Sequence, residues 1–437
     1  LRLDGPSFLG AAVHTQATCW RLHPAAAVAA SDPGMLDDLG NSLRVAAQAE
    51  VLLLLSAMLE DPALGASTLS ATALHDLLFH LMWAPATRPL AVKSIIALIT
   101  SHCLPGSTST NASASKQSWD ELVRRYLQTL AQAQAIASAS HSAQDFLPLF
   151  DILQGLRTAL AGPGANGLRT RLASDNSNNS HLAYVLIVSL LNGTYGGDQN
   201  QNSKNNAEKV VTASVKTLRS LLSGSEQAAD QFGQSVGYET LTHALEAAGT
   251  VVTKDLVLCV LELVVDMDVP SNFSQTFDAP TKFLETEKTA IRNPGALPVF
   301  LKLLRHAPLA TSEWGLHALQ TLLESSVQSR AAADQGDALS FLLDWFAIEA
   351  KRGMKENSTD ENQNIFCDLL STCVGLCASH SFSARDFRGA FRILRDAGIP
   401  TESKRQLLRA LRLAAKREGP RAYFDFAGNA TRSSLTS

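Results

Sequence analysis

Cys373, Cys377 and His380 recur at i, i+4 and i+7 along one apolar stretch, with Cys367 upstream, so one helix face could offer thiolate and imidazole to a metal ion. Closed zinc sites draw their ligands as short-spaced pairs from loops, and a packed helix needs small apolar groups at such positions, so buried thiols are the expected reading. Gly162-Pro163-Gly164-Ala165-Asn166-Gly167 has the spacing of a dinucleotide fingerprint, and Gly162 with Gly167 spans the frame of a phosphate-binding loop. A dinucleotide site needs a preceding strand, and a phosphate loop needs Lys then Ser or Thr where this chain has Leu168-Arg169; a helix-terminating turn is expected instead. His14, His75, His80, His243 and His306 lie in unrelated settings, and no nucleophile elbow, paired carboxylates or His-Glu-x-x-His helix can be assembled. These residues predict a non-catalytic protein with no metal and no cofactor.

One charged feature stands out. Arg385, Arg388, Arg392 and Arg395 make one helical stripe, and Arg405, Arg409, Arg412 and Lys416 make another. With Lys404, Arg417 and Arg421, the span 384–421 holds eleven cations against Asp386, Asp396, Glu402 and Glu418, a local balance of +7. A solvated face of two helices is the plain reading; docking to an acidic neighbouring domain or peripheral contact with an anionic membrane are the functional ones. Aromatic residues read as sparse between these cations, which argues against single-stranded nucleic acid as the partner.

The elements that position these residues follow from composition. Hydrophobic residues make up 46% and charged residues 18% of the chain, enough to bury a core, and the low 6% of aromatics beside abundant Leu, Ala, Val and Ser favours packed helices over sandwiches. The net charge of -4 creates no global field to attract nucleic acid or membrane. Six cysteines spread thinly through helical stretches predict reduced thiols and a cytoplasmic location. The apolar runs, such as Val51 to Leu55, are far shorter than the ~20 residues that span a bilayer. The chain opens at Leu1 without methionine, so a fragment of a longer protein is expected.

Apolar residues recur at helical spacing from about Met35 onward, as in Leu74, Leu77, Leu78 and Leu81. Pro105–Lys116 and Asp175–Asn206 are polar and read as loops, the second carrying a short helix at His181–Ile187. Glycine-led blocks open Leu-rich helices at Gly237, Gly295 and Gly336, at spacings of 58 (237 to 295) and 41 (295 to 336). The shorter matches an armadillo or HEAT unit, and the longer implies an insertion around Pro270–Glu287. The expected fold is all-α, an armadillo/HEAT-like right-handed helical solenoid. Its expected parts are a frayed or partial start at 1–34, N-terminal repeats at 35–174, an Asn-rich insertion at 175–206 and armadillo-like repeats at 207–418.

The segment after the basic helices breaks this pattern: Pro420, Tyr423, Phe424, Phe426 and Gly428 suggest one β-strand at the C-terminal end. It resembles the point in BEACH-domain proteins (neurobeachin, Alfy, the lysosomal trafficking regulator and Spirrig) where an armadillo-like region gives way to a concanavalin-A-like fold. There the strand looks like Pro-x-x-aromatic-Phe-x-Phe-x-Gly, followed by a Ser-Gly step from which Thr431-Arg432-Ser433 departs. Gln231 to Leu241 and Ile291 to Leu304 also look like that family's helical region. The resemblance implies that 419–437 begins a truncated concanavalin-A-like domain. It further implies a parent protein with BEACH and WD-repeat modules, a scaffold in vesicle trafficking, lysosome-related organelles or autophagy, binding partner proteins and neighbouring domains of its own chain. The competing expectation is a stand-alone armadillo adaptor that carries protein cargo. Importin-like adaptors show Trp/Asn ladders, whereas Trp20, Trp83, Trp119, Trp314 and Trp345 are irregularly spaced without paired Asn.

Overall fold

The computed structural model describes residues 46–58, 72–101, 112–139, 146–162, 165–172, 178–191, 201–247, 252–267, 289–355 and 361–418. Every regular element among them is a helix, as Leu- and Ala-rich stretches favour. No helix among the described residues is long and apolar enough to cross a membrane. The 1–34 start, Cys19, Cys103 and the strand expected over Pro420, Tyr423, Phe424, Phe426 and Gly428 lie outside the described residues. The chain divides into two compact units, Leu1–Val236 and Gly237–Ser437, with the Asn-rich segment inside the first.

Unit 1 contains α1 (46–58), α2 (Thr72–Leu81), α3 (Arg88–Ser101), α4 (Ala112–Ala139), α5 (Leu147–Ala161), α6 (Ala165–Leu172), α7 (Asn178–Leu191), α8 (Gln201–Leu222) and α9 (Glu226–Ser235). α3, α5 and α8 stack in one row, while α4 and α7 stack in a second. α2 joins that second row through an Arg125–Asp76 ion pair of 2.8 Å, with the Arg125 guanidinium 4.7 Å above the Phe79 ring. α4 starts at Ala112 and α8 at Gln201, so the ends of both segments read as loops are first turns of long helices. Polar first turns persist there because helices of 28 and 22 residues are held by the apolar stripes that follow.

The rows are tied by polar groups that satisfy helix ends. Arg88 is buried, and its guanidinium donates to the Met82 carbonyl at 3.0 Å, to Trp83 at 3.5 Å and to the Asp151 carboxylate at 3.4 Å, closing the α2–α3 turn onto α5. The buried Tyr126 hydroxyl donates to the Ile152 carbonyl at 2.6 Å, and burial raises its phenol pKa well above the usual value. Trp119 Nε1 donates to the Ile99 carbonyl at 3.1 Å.

His75 is also buried, and its Nε2 has no hydrogen-bond partner among the described residues. Burial first, and then the Arg125 charge, lowers its pKa below the ordinary 6.5, against a smaller opposite pull from Asp76. Between the lowered folded pKa and the unfolded one, the unfolded chain binds more protons. Stability is therefore fully present above about pH 6.5 and falls as pH drops below it. Urea midpoints at about pH 7.5 and 5.5 should show a smaller acid loss in His75→Phe than in the wild type, and equal losses would exclude His75 as the source.

Unit 2 contains α10 (Tyr238–Ala247), α11 (Lys254–Val265), a 3-10 turn at Pro294–Ala296, α12 (Leu297–His306), α13 (Leu309–Ser325), α14 (Val327–Gln335), α15 (Ala338–Lys355), α16 (Glu361–Ala378), α17 (Ala384–Arg395) and α18 (Thr401–Glu418). α10, α12, α15 and α17 stack in one row, and α11, α13, α16 and α18 in the other, so helix pairs form successive layers. The glycine-led blocks open α10, α12 and α15. A Cβ at Gly295 would lie 2.6 Å from the Tyr238 ring, and one at Gly336 only 2.9 Å from the Pro294 carbonyl oxygen. Gly295 and Gly336 are thus points where one block touches the block before it, while Gly237 takes a positive φ of 84°.

α11 is buried along its whole length from Leu256 to Val265, which is why its sequence is a continuous apolar run rather than a stripe. Thr253 caps its start, its hydroxyl accepting from Leu256 N–H at 3.4 Å. Asp266 ends it in the left-handed region, at φ 51°. The chain returns to the same helix end, where Arg292 and Asn293 N–H both donate to the Val264 carbonyl, at 3.1 and 3.0 Å. The aromatic core lies further on: Trp345 is 1% exposed, edge-on to Phe341 at 6.2 Å and to Phe366 at 5.8 Å.

Candidate functional site

Of the sequence-derived metal candidates, Cys367, Cys373 and Cys377 sit on α16 and point inward, while His380 lies half-buried in the turn beyond its end. Cys367, Cys373 and Cys377 are buried, and the Cys373 thiol lies 3.7 Å from the Leu316 carbonyl. Burial pushes the Cys367 and Cys377 thiols up to about 12, with the Glu349 and Asp334 carboxylates adding to the effect, and raises Cys373 as well. A metal ligand must be a thiolate, and this environment holds the protonated form. Among the described residues, no group of His, Cys, Asp and Glu is placed to hold a metal ion. A thiol at about 12 carries about a thousandfold less thiolate than one at 9.0, so alkylation of Cys367 and Cys377 should be about a thousandfold slower in the folded chain than in urea. Site-resolved mass spectrometry would expose an error if the two conditions labelled them equally fast.

Gly162 caps α5 with extended backbone, its N–H donating to the Ala159 carbonyl at 3.3 Å, and α6 begins at Ala165. The glycine-rich segment therefore joins two helices. Arg169 spends its guanidinium on the Leu160 carbonyl at 2.6 Å and the Ser220 carbonyl at 2.8 Å, fastening the ends of α5 and α8. Two histidines read as unrelated do meet: His243 Nδ1 lies 3.6 Å and His306 Nε2 4.0 Å from the exposed Glu246 carboxylate, where α10 packs on α12.

A groove opens between α16 and α18, with a cavity of about 480 Å³. Its origin is Gly375: the two helices approach so closely there that a Cβ would lie 2.9 Å from the Ala410 carbonyl oxygen. Gly375, Leu376, Ala410, Leu413 and Ala414 supply apolar lining, with carboxylates from Glu324 and Asp368 and cations from Arg409 and Lys416. Leu413 is 64% exposed, far more than a leucine at a finished packing surface. Gln406 donates to the Asn364 carbonyl at 3.3 Å, while its buried Oε1 has no partner among the described residues. Sequence spacing carries no trace of this groove, since it arises from one glycine meeting an alanine on another helix.

Both cationic stripes are where the sequence put them. Arg385, Arg388, Arg392 and Arg395 on α17, and Arg405, Arg409, Arg412 and Lys416 on α18, are all exposed. Ser383 and Asp386 form a reciprocal capping box that starts α17. The expectation of sparse aromatics needs correction. Phe387 and Phe391 sit within the α17 stripe, 59% and 51% exposed, and stack on each other at 6.3 Å; Phe382 meets Phe387 edge-on.

A family model described as the neurobeachin alpha solenoid region matches residues 58–413. No curated protein matches the chain. Among solved structures, an engineered protein with a crystal structure matches at 12% identity over 90% of this chain and 98% of its own, with a TM-score of 0.19, too low to bear on the fold.

Proposed function

This chain belongs to the neurobeachin family, whose alpha-solenoid region it spans, and from that premise we propose that it is a non-catalytic scaffold segment of a large BEACH-type protein acting in vesicle trafficking, lysosome-related organelles or autophagy. Its work is to hold partner proteins at the cytoplasmic side of endomembranes. The observation that supports this is the groove between α16 and α18, an apolar floor between carboxylates and cations. Such a groove accepts an amphipathic helix of a partner whose apolar side chains cover Leu413 and whose flanks carry both charges. Neighbouring domains of the parent chain are further partners, and the cationic stripes on α17 and α18 form a second docking patch.

Photo-cross-linking side chains placed at Leu413 and at Thr372, which both line the groove, should label the same partner in cytosol. Leu413→Asp should abolish that label without unfolding the chain, since the residue is exposed. A cross-linker at the exposed Val327 should miss this partner. Endosomal or autophagy proteins at both groove positions support the reading. Nuclear-transport cargo, or the same proteins at all three positions, would overturn it.

A further inference from the structure

Three carboxylates on and between α17 and α18 are committed locally. Asp386 closes the capping box with Ser383, Asp396 pairs with Lys351 at 2.7 Å, and Glu402 pairs with Arg405 at 3.1 Å. Arg385 is matched by Asp337 at 3.2 Å. Arg388, Arg392, Arg395 and Arg412 are exposed and have no carboxylate partner among the described residues. These four arginines therefore face outward without a counter-charge among the described residues. Large apolar groups are interleaved with them: Phe387 at 59%, Phe391 at 51% and Leu408 at 50% exposure. The buried side of α17 is small, made by Asp386, Ala390 and Ile393. Most of the described side chains of the helix are exposed.

We propose that the outer face of α17 docks onto an anionic lipid bilayer. Guanidinium groups bind headgroup phosphates and carboxylates, and phenyl rings between them enter the acyl boundary, the pairing that holds amphipathic helices in the interfacial plane. An acidic protein face would need carboxylates in register with Arg388, Arg392 and Arg395. Lipid headgroups diffuse laterally and meet any register. Single-stranded RNA would need open ring faces for its bases, but Phe387 and Phe391 stack on each other and the Arg395 guanidinium lies 5.8 Å from the Phe391 ring. The inference is independent of the groove reading, because Arg388, Arg392, Phe387 and Phe391 do not line the groove.

The test is co-sedimentation of the full chain with phosphatidylcholine vesicles, with and without phosphatidylserine. Binding is expected only with phosphatidylserine and should weaken with salt. Each arginine near an anionic surface contributes about fivefold, so Arg388→Gln with Arg392→Gln should lose about thirtyfold in affinity. The control pair Arg124→Gln and Lys209→Gln, at exposed positions of unit 1, should bind as the wild type does. Phe387→Ser with Phe391→Ser should lose the binding that survives high salt. Circular dichroism identifies any variant that fails to fold, and Leu413→Asp should still bind vesicles. Equal binding to both vesicle types, wild-type binding by the double glutamine variant, or charge-dependent binding of an RNA oligomer without vesicle binding would each overturn the proposal.

Discussion

Replacing Trp345 by alanine should destabilise unit 2 by about 3–5 kcal/mol, the range for removing a large aromatic from a packed core. The indole is 1% exposed and holds Phe341 on its own helix and Phe366 on α16 in edge-to-face contact, so its loss leaves a void and two rings without their partner. Edge-to-face pairs contribute about 0.5–1.5 kcal/mol beyond their area, which places Trp345→Phe well below the alanine cost. Because layers in a stacked array depend on their neighbours, the loss should reach the layers on either side. Hydrogen exchange across 289–418 should show protection falling in α12, α13, α17 and α18 as well as in α15 and α16. A urea-unfolding cost under about 1 kcal/mol would mean that the surrounding core collapses onto the space, contrary to its packing.

Gly375→Val should cost about 2–3 kcal/mol, with a different signature. The added Cβ would sit 2.9 Å from the Ala410 carbonyl oxygen and 3.1 Å from its carbonyl carbon, and these are backbone atoms that no rotamer change can move aside. Valine's better helix propensity offsets only a few tenths of a kcal/mol. The contact is relieved if α18 lifts away from α16, and α18 is the last described helix of its row. The expected result is therefore local: amide protection in Thr401–Glu418 drops by about a hundredfold while α12 to α15 stay unchanged, and groove cross-linking from Leu413 disappears with it. Unchanged α18 protection would show that the helices are not held at this point.

The layered α-fold was legible because amphipathic stripes and glycine-led blocks are local signals. Gly237, Gly295 and Gly336 marked three layers correctly, but a reading of their sequence could not say why glycine recurs. At Gly295 and Gly336 the reason is interlayer contact, under the Tyr238 ring and under the Pro294 carbonyl, and at Gly237 it is a positive φ of 84°. The fourth layer, α17 with α18, escaped the repeat search because its first helix opens on the Ser383 capping box instead of a glycine. Its residues were read for charge alone. The stripes were therefore found, while the exposed Phe387–Phe391 stack among them was not. The groove was invisible for a deeper reason: it depends on Gly375 meeting Ala410, 35 residues apart in sequence, and pairwise approach of that kind has no periodicity. Helix length misled in the opposite direction at Ala112 and Gln201, where Ser, Asn and Gln form first turns that the rest of a long helix sustains.

The irregular 58-residue spacing has its counterpart at the end of α11, where the chain departs at Asp266 and comes back to the Val264 carbonyl at Arg292 and Asn293. The returning chain is fastened by two N–H groups to the end of the helix it left, so the approach to α12 is set at that carbonyl. Doubling a closed loop costs only about 0.6 kcal/mol. For the gene this is a place where material can be gained or shed without disturbing the array. For the bench it is a port, where a fluorescent protein or an affinity tag can be spliced into the middle of the scaffold with both termini left untouched.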